Sequence, residues 1–163
     1  MKPVFERRWS MIENMLKSEG IARQHLNSYN EFLRRGIQSI IDEIGEVDVE
    51  TNFGNYKIKL GKIEVGRPRV TEHDGSENYI QPREARLRNL TYAAPLYLNM
   101  QIIDSDPSIN RPFKSYIGNL PVMVKSDICV LHGLSEQELI DVGEDPNDPG
   151  GYFIINGSEW III

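Results

Sequence analysis

The sequence predicts an α+β fold, with N-terminal helices packed on a mostly antiparallel sheet, and three observations point there. Apolar residues recur at helical spacing as far as Gly45, the period then becomes two, and the later helical stretches are short insertions between strands. The 163 residues suit a single domain, 1–163, large enough to bury a core without disulfides or metals.

Ser10 and Glu13 have capping-box spacing, and Met11, Ile12, Met15 and Leu16 follow at helical intervals, so a short first helix is expected before Gly20. A longer helix comes next. Its apolar side holds Leu26, Tyr29, Leu33, Ile37, Ile40, Ile41 and Ile44, and Gly45 ends it. Gly36 inside it costs roughly 1 kcal/mol relative to Ala, which marks close packing against another element.

Val47 and Val49 open the strand pattern. Tyr56, Ile58 and Leu60 share one parity and Ile63 and Val65 the other, so a β-bulge is expected at Gly61. His73, Asp74, Gly75 and Ser76 form a turn leading to Tyr79 and Ile80. Pro82 suits the first position of a short helix, and Glu84 stands four residues before Arg88, the favoured order for a helical ion pair.

That arginine-rich helix feeds into a long strand. Tyr92, Ala94, Leu96, Leu98, Met100 and Ile102 take one face, while Asn99 and Gln101 mark the other as partly wet. Residues 104–112 read as a polar loop, and Tyr116, Leu120, Val122 and Val124 as a strand that Pro121 puts at its start or at an edge. Ser135 and Glu138 repeat the capping-box spacing for a short helix running to Gly143. A turn-rich loop, 144–151, precedes two apolar runs, 152–155 and 160–163, joined through Asn156-Gly157, a strong hairpin signal; both strands are expected to be buried.

The single Cys129 excludes an internal disulfide, no apolar stretch approaches the ~20 residues of a membrane span, and the first residues lack the apolar run of a signal peptide. An intracellular, cytoplasmic protein without membrane partners is expected. The formal charge of -6 argues against a free-standing nucleic-acid binder, which is normally basic.

Chemistry has few candidates. Lys57, Lys59, Lys62, Arg67, Arg69, Arg83, Arg86 and Arg88 form a basic set able to meet a nucleic-acid backbone, since phosphate contacts need cations but little geometry. Their bland alternative is solvated strand and helix faces, with Glu84 engaging Arg88. Asp104 and Asp106 make an Asp-x-Asp pair of the kind that holds Mg²⁺, but no third carboxylate or phosphate cradle accompanies them. His25, His73, His132 and Cys129 lack metal-site spacing, and Cys129 reads as a small buried residue, not as a nucleophile for His132. Glu144, Asp145 and Asp148 lack the ligand alternation of a calcium loop.

Five stretches carry a family resemblance: GIARQHLNSYNEFL, KIKLGKIEVGRP, PREARLRNLTYAAPLYL, IGNLPVMVKSDIC and GEDPNDPGGYFIINGSE, in that order over nearly the whole chain. Together they resemble the second-largest subunit of archaeal and eukaryotic DNA-directed RNA polymerases. The resemblance implies an N-terminal fragment of a longer subunit, from the protrusion on one side of the DNA cleft. It implies a non-catalytic role within a nucleotidyltransferase: bounding the upstream DNA and RNA-DNA hybrid, and offering a surface to initiation factors and NusG-type elongation factors beside the other polymerase subunits. No cofactor is expected in this fragment, with Mg²⁺ and Zn²⁺ elsewhere in the assembled enzyme. One departure is Trp160, where the family usually has Lys or Arg after Gly-Ser-Glu. The alternative from another class is an independent protein-interaction domain derived from a polymerase subunit.

Overall fold

In the computed structural model, which describes residues 9–11, 20–52, 54–103 and 110–162, the helical pattern after Gly20 becomes three consecutive segments. These are α1 (Arg23–Glu31), a π-helical turn (Phe32–Gly36) and α2 (Ile37–Ile44). Most of the expected first helix lies outside the described residues. Gly36 closes the π turn, where an added Cβ would come within 3.0 Å of the Phe32 ring, so the packing expected there against another element is corrected: the close neighbour belongs to its own helical stretch. Gly45, at φ +64°, stops α2 as expected.

The apolar stripe is narrower than its sequence suggests. Ile37 and Ile41 pack on the sheet, but Ile40 and Ile44 are each 52% exposed, because the sheet covers one flank of the stripe only.

After the helices come β1 (Glu46–Thr51), β2 (Gly54–Val65), β3 (Arg69–Thr71), β4 (Glu77–Tyr79), α3 (Pro82–Leu87), β5 (Ala93–Ile103), β6 (Pro112–Pro121), α4 (Glu136–Asp141), β7 (Phe153–Ile155) and β8 (Ser158–Trp160). The main sheet has the order β1-β2-β5-β6, every pair antiparallel; β3-β4 and β7-β8 are separate two-stranded ribbons. The fold is therefore α+β, with helices against an antiparallel sheet.

Alternation decides which side of the main sheet is dry. Leu60, Ile63, Leu96, Leu98 and Met100 face α2 with Phe32, Ile37 and Ile41. The change of parity in β2 is achieved by a register shift between Leu60 and Ile63, the expected bulge at Gly61, where an added Cβ would lie 2.9 Å from the Asn99 carbonyl. Gln38 of α2 satisfies the backbone that the bulge frees: its Nε2 donates to the Gly61 carbonyl at 3.2 Å, and its Oε1 accepts from the Ile63 N–H at 3.0 Å.

A second core lies where α3 meets the hairpin. Ile80, Ala85, Tyr92, Ala94, Val122, Val124, Leu131, Leu139 and Ile154 enclose one another there. Main-chain bonds tie the pieces: Tyr92 N–H to the Ile154 carbonyl at 2.9 Å, Val122 N–H to Tyr92 at 2.8 Å, and Val124 N–H to Tyr152 at 2.9 Å. Val122 and Val124 are thus buried, but not in the strand expected for them; β6 begins at Pro112 and ends at Pro121, and a series of turns follows. Proline cannot donate to a ladder, so it bounds this edge strand at both ends.

The capping box of α4 is present, with the Ser135 hydroxyl accepting from Glu138 N–H and the Glu138 carboxylate accepting from Ser135 N–H. The hairpin turn at Asn156 and Gly157 has both residues at positive φ, as a two-residue turn of this kind requires. Of its arms only the first is buried. Trp160, Ile161 and Ile162 are 60–67% exposed, so burial of the second arm is corrected: among the described residues, nothing packs over its outer side.

Candidate functional site

Helix α3 is bounded by Pro82 at its start and by Asn89, at φ +52°, just past its C-cap Arg88, and it sets three arginines in different surroundings. Arg86 points back across the second core. Its Nη1 donates to the Glu144 carboxylate at 2.9 and 3.2 Å, its Nη2 to the Tyr152 hydroxyl at 2.6 Å, and its Nε to Glu159 at 2.7 Å. Asp148 accepts from the Tyr152 hydroxyl and from the Gly150 N–H. One guanidinium thereby joins α3, the 144–151 loop and the hairpin.

The Glu144 side chain is 5% exposed, so its charge depends on this partner. Burial raises the Arg86 ionisation cost while Glu144, Tyr152 and Glu159 oppose it, and the net effect is a guanidinium held above its ordinary range; burial and the Asp148 bond push the Tyr152 phenol up.

Arg88 is also engaged. It donates to Glu84 at 2.6 Å, the predicted helical pair, and to Glu72 at 2.7 and 2.9 Å, and these bonds hold the Glu72 carboxyl below its usual range. Arg69 pairs with Glu77 across the β3-β4 ribbon and lies 5.9 Å from the Tyr97 ring centre. Arg83 is exposed, lies along Gly143, and makes no ion pair among the described residues.

The lysines occupy the wet face of the main sheet. Lys57 lies 3.8 Å from Asp48 and 3.9 Å from Glu46. Lys59, and Lys62 at the bulge, are exposed and make no ion pair among the described residues. Farther along, Lys114 pairs with Glu64 and stands 4.9 Å over Tyr97, whose ring meets Tyr116 edge-on at 6.0 Å. Arg67 lies beyond the strand end, beside a hollow of about 590 Å³ that Asp127, Cys129 and His132 also line.

The eight candidates differ in what they meet. Lys59, Lys62, Arg67 and Arg83 keep their charge open to solvent, whereas Arg69, Arg86 and Arg88 are bound to carboxylates of the chain itself.

Other candidates resolve more simply. Asp104 and Asp106 lie outside the described residues. Cys129 is buried, with burial pushing its thiol up, and its sulfur meets the Tyr92 hydroxyl at 3.6 Å, the environment of an inert packing residue. Among the described residues no three His, Cys, Asp or Glu side chains converge to hold a metal ion, and no helix is long and apolar enough to cross a membrane. A groove of about 740 Å³ runs between α1 and the hairpin, lined by Tyr29, Phe32, Met123, Phe153, Trp160 and Ile162. Sequence reasoning missed the acceptors for Arg86; their distance in sequence, with Glu144 58 residues on, leaves no local signal.

The family described as RNA polymerase beta subunit matches residues 20–163. The chain belongs to that family. Among curated relatives it is 51% identical over 158 residues to DNA-directed RNA polymerase subunit Rpo2 of Saccharolobus shibatae, covering 97% of this chain and 14% of the relative. It is 49% identical over 156 residues to subunit Rpo2N of Methanocaldococcus jannaschii, covering 94% and 31%, and 41% identical over 161 residues to Rpo2N of Halobacterium salinarum, covering 93% and 30%. This member of the beta-subunit family thus spans between about one seventh and three tenths of the relatives it matches.

Proposed function

We propose that the chain is the N-terminal, non-catalytic part of the second-largest subunit of a DNA-directed RNA polymerase of archaeal type, folded as a single protrusion domain. In that reading it works in transcription in the cytoplasm, at the nucleoid, beside the other polymerase subunits. It bounds the upstream DNA and RNA-DNA hybrid and presents a surface to initiation and NusG-type elongation factors. The Mg²⁺ and Zn²⁺ of the enzyme belong to other parts of the assembly.

The observation that carries the reading is the family match over residues 20–163, with relatives near half identical along almost the whole chain. The open cations Lys59, Lys62, Arg67 and Arg83 support a contact with nucleic-acid backbone, since such contacts need exposed charge above all. Arg86 supports the domain from within, and Arg88 braces α3 against Glu72 at the surface.

Reconstituted polymerase tests this. With Lys59, Lys62, Arg67 and Arg83 changed to Ala in the assembled subunit, elongation complexes are expected to dissociate faster as salt rises, while assembly is unaffected. Unchanged lifetimes in a correctly assembled enzyme would remove the cleft-facing assignment. Failure of the chain to co-purify with other polymerase subunits would remove the wider reading.

A further inference from the structure

We infer that the free edge of β1 is a docking strand for an extended, basic segment of another polypeptide, which would join the main sheet as a fifth strand. β1 is terminal in the order β1-β2-β5-β6, and among the described residues nothing pairs with its outer side. The Leu60 N–H donates to the Gly45 carbonyl at 2.9 Å, and the register runs on from there without a shift to Thr51 and Gly54. Hydrogen-bonding alternates along an antiparallel ladder, so Val47 and Val49 turn their main-chain groups toward β2. Glu46, Asp48 and Glu50 turn theirs outward. Three successive donor and acceptor pairs therefore line one open edge, in the spacing that strand addition uses.

The two edges of the sheet differ. β6 has a proline at each end and a register shift in its middle, devices that prevent further pairing. β1 has neither proline nor bulge. Its protection is charge alone, and charge selects a partner as well as excluding one.

Glu46, Asp48 and Glu50 also share the wet face, where Lys57 approaches the first two at 3.9 and 3.8 Å; Glu50 has no ion pair among the described residues. Val47 and Val49 occupy the other face, with Val47 40% exposed. A hollow of about 500 Å³ lined by Asp48, Val49, Glu50, Tyr56, Lys57 and Ile103 reaches from β1 across β2 to β5. A second copy of this chain would set carboxylate against carboxylate, which is unfavourable for directly opposed cross-strand pairs. A segment that alternates Lys or Arg with β-branched residues meets both faces.

The test uses a short synthetic peptide of alternating Lys and Val, its scrambled form, and the 163-residue chain. Asp48→Pro removes an outward N–H without touching the bonds to β2, so affinity is expected to fall roughly tenfold. Asp48→Asn keeps the N–H and removes the charge, for a fall of about two- to fivefold. Hydrogen exchange at the Glu46, Asp48 and Glu50 amides of the unaltered chain should slow when peptide is added, a readout that does not depend on the proline variant folding. Equal binding of the scrambled peptide, unchanged exchange at those amides, or no effect of Asp48→Pro in a folded variant would overturn the proposal. Self-association abolished by Asp48→Pro would overturn it in favour of pairing between copies.

Discussion

Removing Arg86 would leave Glu144 buried without a cation. Breaking one side of a buried pair is far more costly than losing a surface bridge, and with the Arg86 side chain 24% exposed an Arg86→Ala loss of about 2–4 kcal/mol is expected in urea denaturation. Arg86→Lys should recover only part, since one ammonium cannot reach Glu144, Tyr152 and Glu159 in the planar fork that a guanidinium offers. Glu72 gives the second residue-scale outcome. Its carboxyl is held below its unfolded range by Arg88, so its stabilising effect is complete above the unfolded pKa and disappears as pH falls through the folded one. The melting temperature should drop on acidification below about pH 4.5, and Glu72→Gln should flatten part of that drop. The sequence showed the Glu84–Arg88 pair because four residues separate its members; it could not show Glu72 or Glu144, which reach their arginines only through the tertiary fold.

At the scale of elements, the most legible features were those whose signal is local. The bulge at Gly61, the capping box of α4, Pro82 at the start of α3 and the Asn156-Gly157 turn each depend on a few neighbouring residues, and each is found where expected. Features that depend on what lies opposite were less legible. Ile44 and the second arm of the hairpin are apolar in pattern but exposed, and Val122 and Val124 alternate as a strand would while being held by turns. Gln38 belongs to the same class: a polar residue on a helix becomes structural only because a bulge lies beneath it. Gln38→Ala would leave the Gly61 carbonyl and Ile63 N–H unsatisfied in a half-buried place, at a cost of about 1–3 kcal/mol. Amide exchange at Ile63 should quicken more than at Leu98, a difference that general destabilisation would not produce.

For the whole molecule, charge sets the expectation. With a net charge of -6 and half of its notable cations bound to its own carboxylates, the isolated chain should bind duplex DNA feebly, and that binding should vanish steeply with salt. Fluorescence anisotropy over a salt series measures this; tight binding at physiological salt would show that the open cations suffice without an assembly. Composition already indicated the weak affinity, whereas the division of the eight cations into open and engaged sets needed the fold.

The Gln38 clasp has a wider consequence for how the sheet finds its pairing. Sliding β2 by one residue against β5 would exchange its two faces, turning Lys57 and Lys59 toward α2 and Ile58 and Leu60 toward water. Gln38 bonds to β2 where its ladder is interrupted, reaching a carbonyl and an N–H at the place where the register shifts between Leu60 and Ile63. The helix thus marks where the bulge belongs: an alignment that moved the interruption elsewhere along β2 would return Gly61 and Ile63 to the ladder and cost the clasp its two hydrogen bonds.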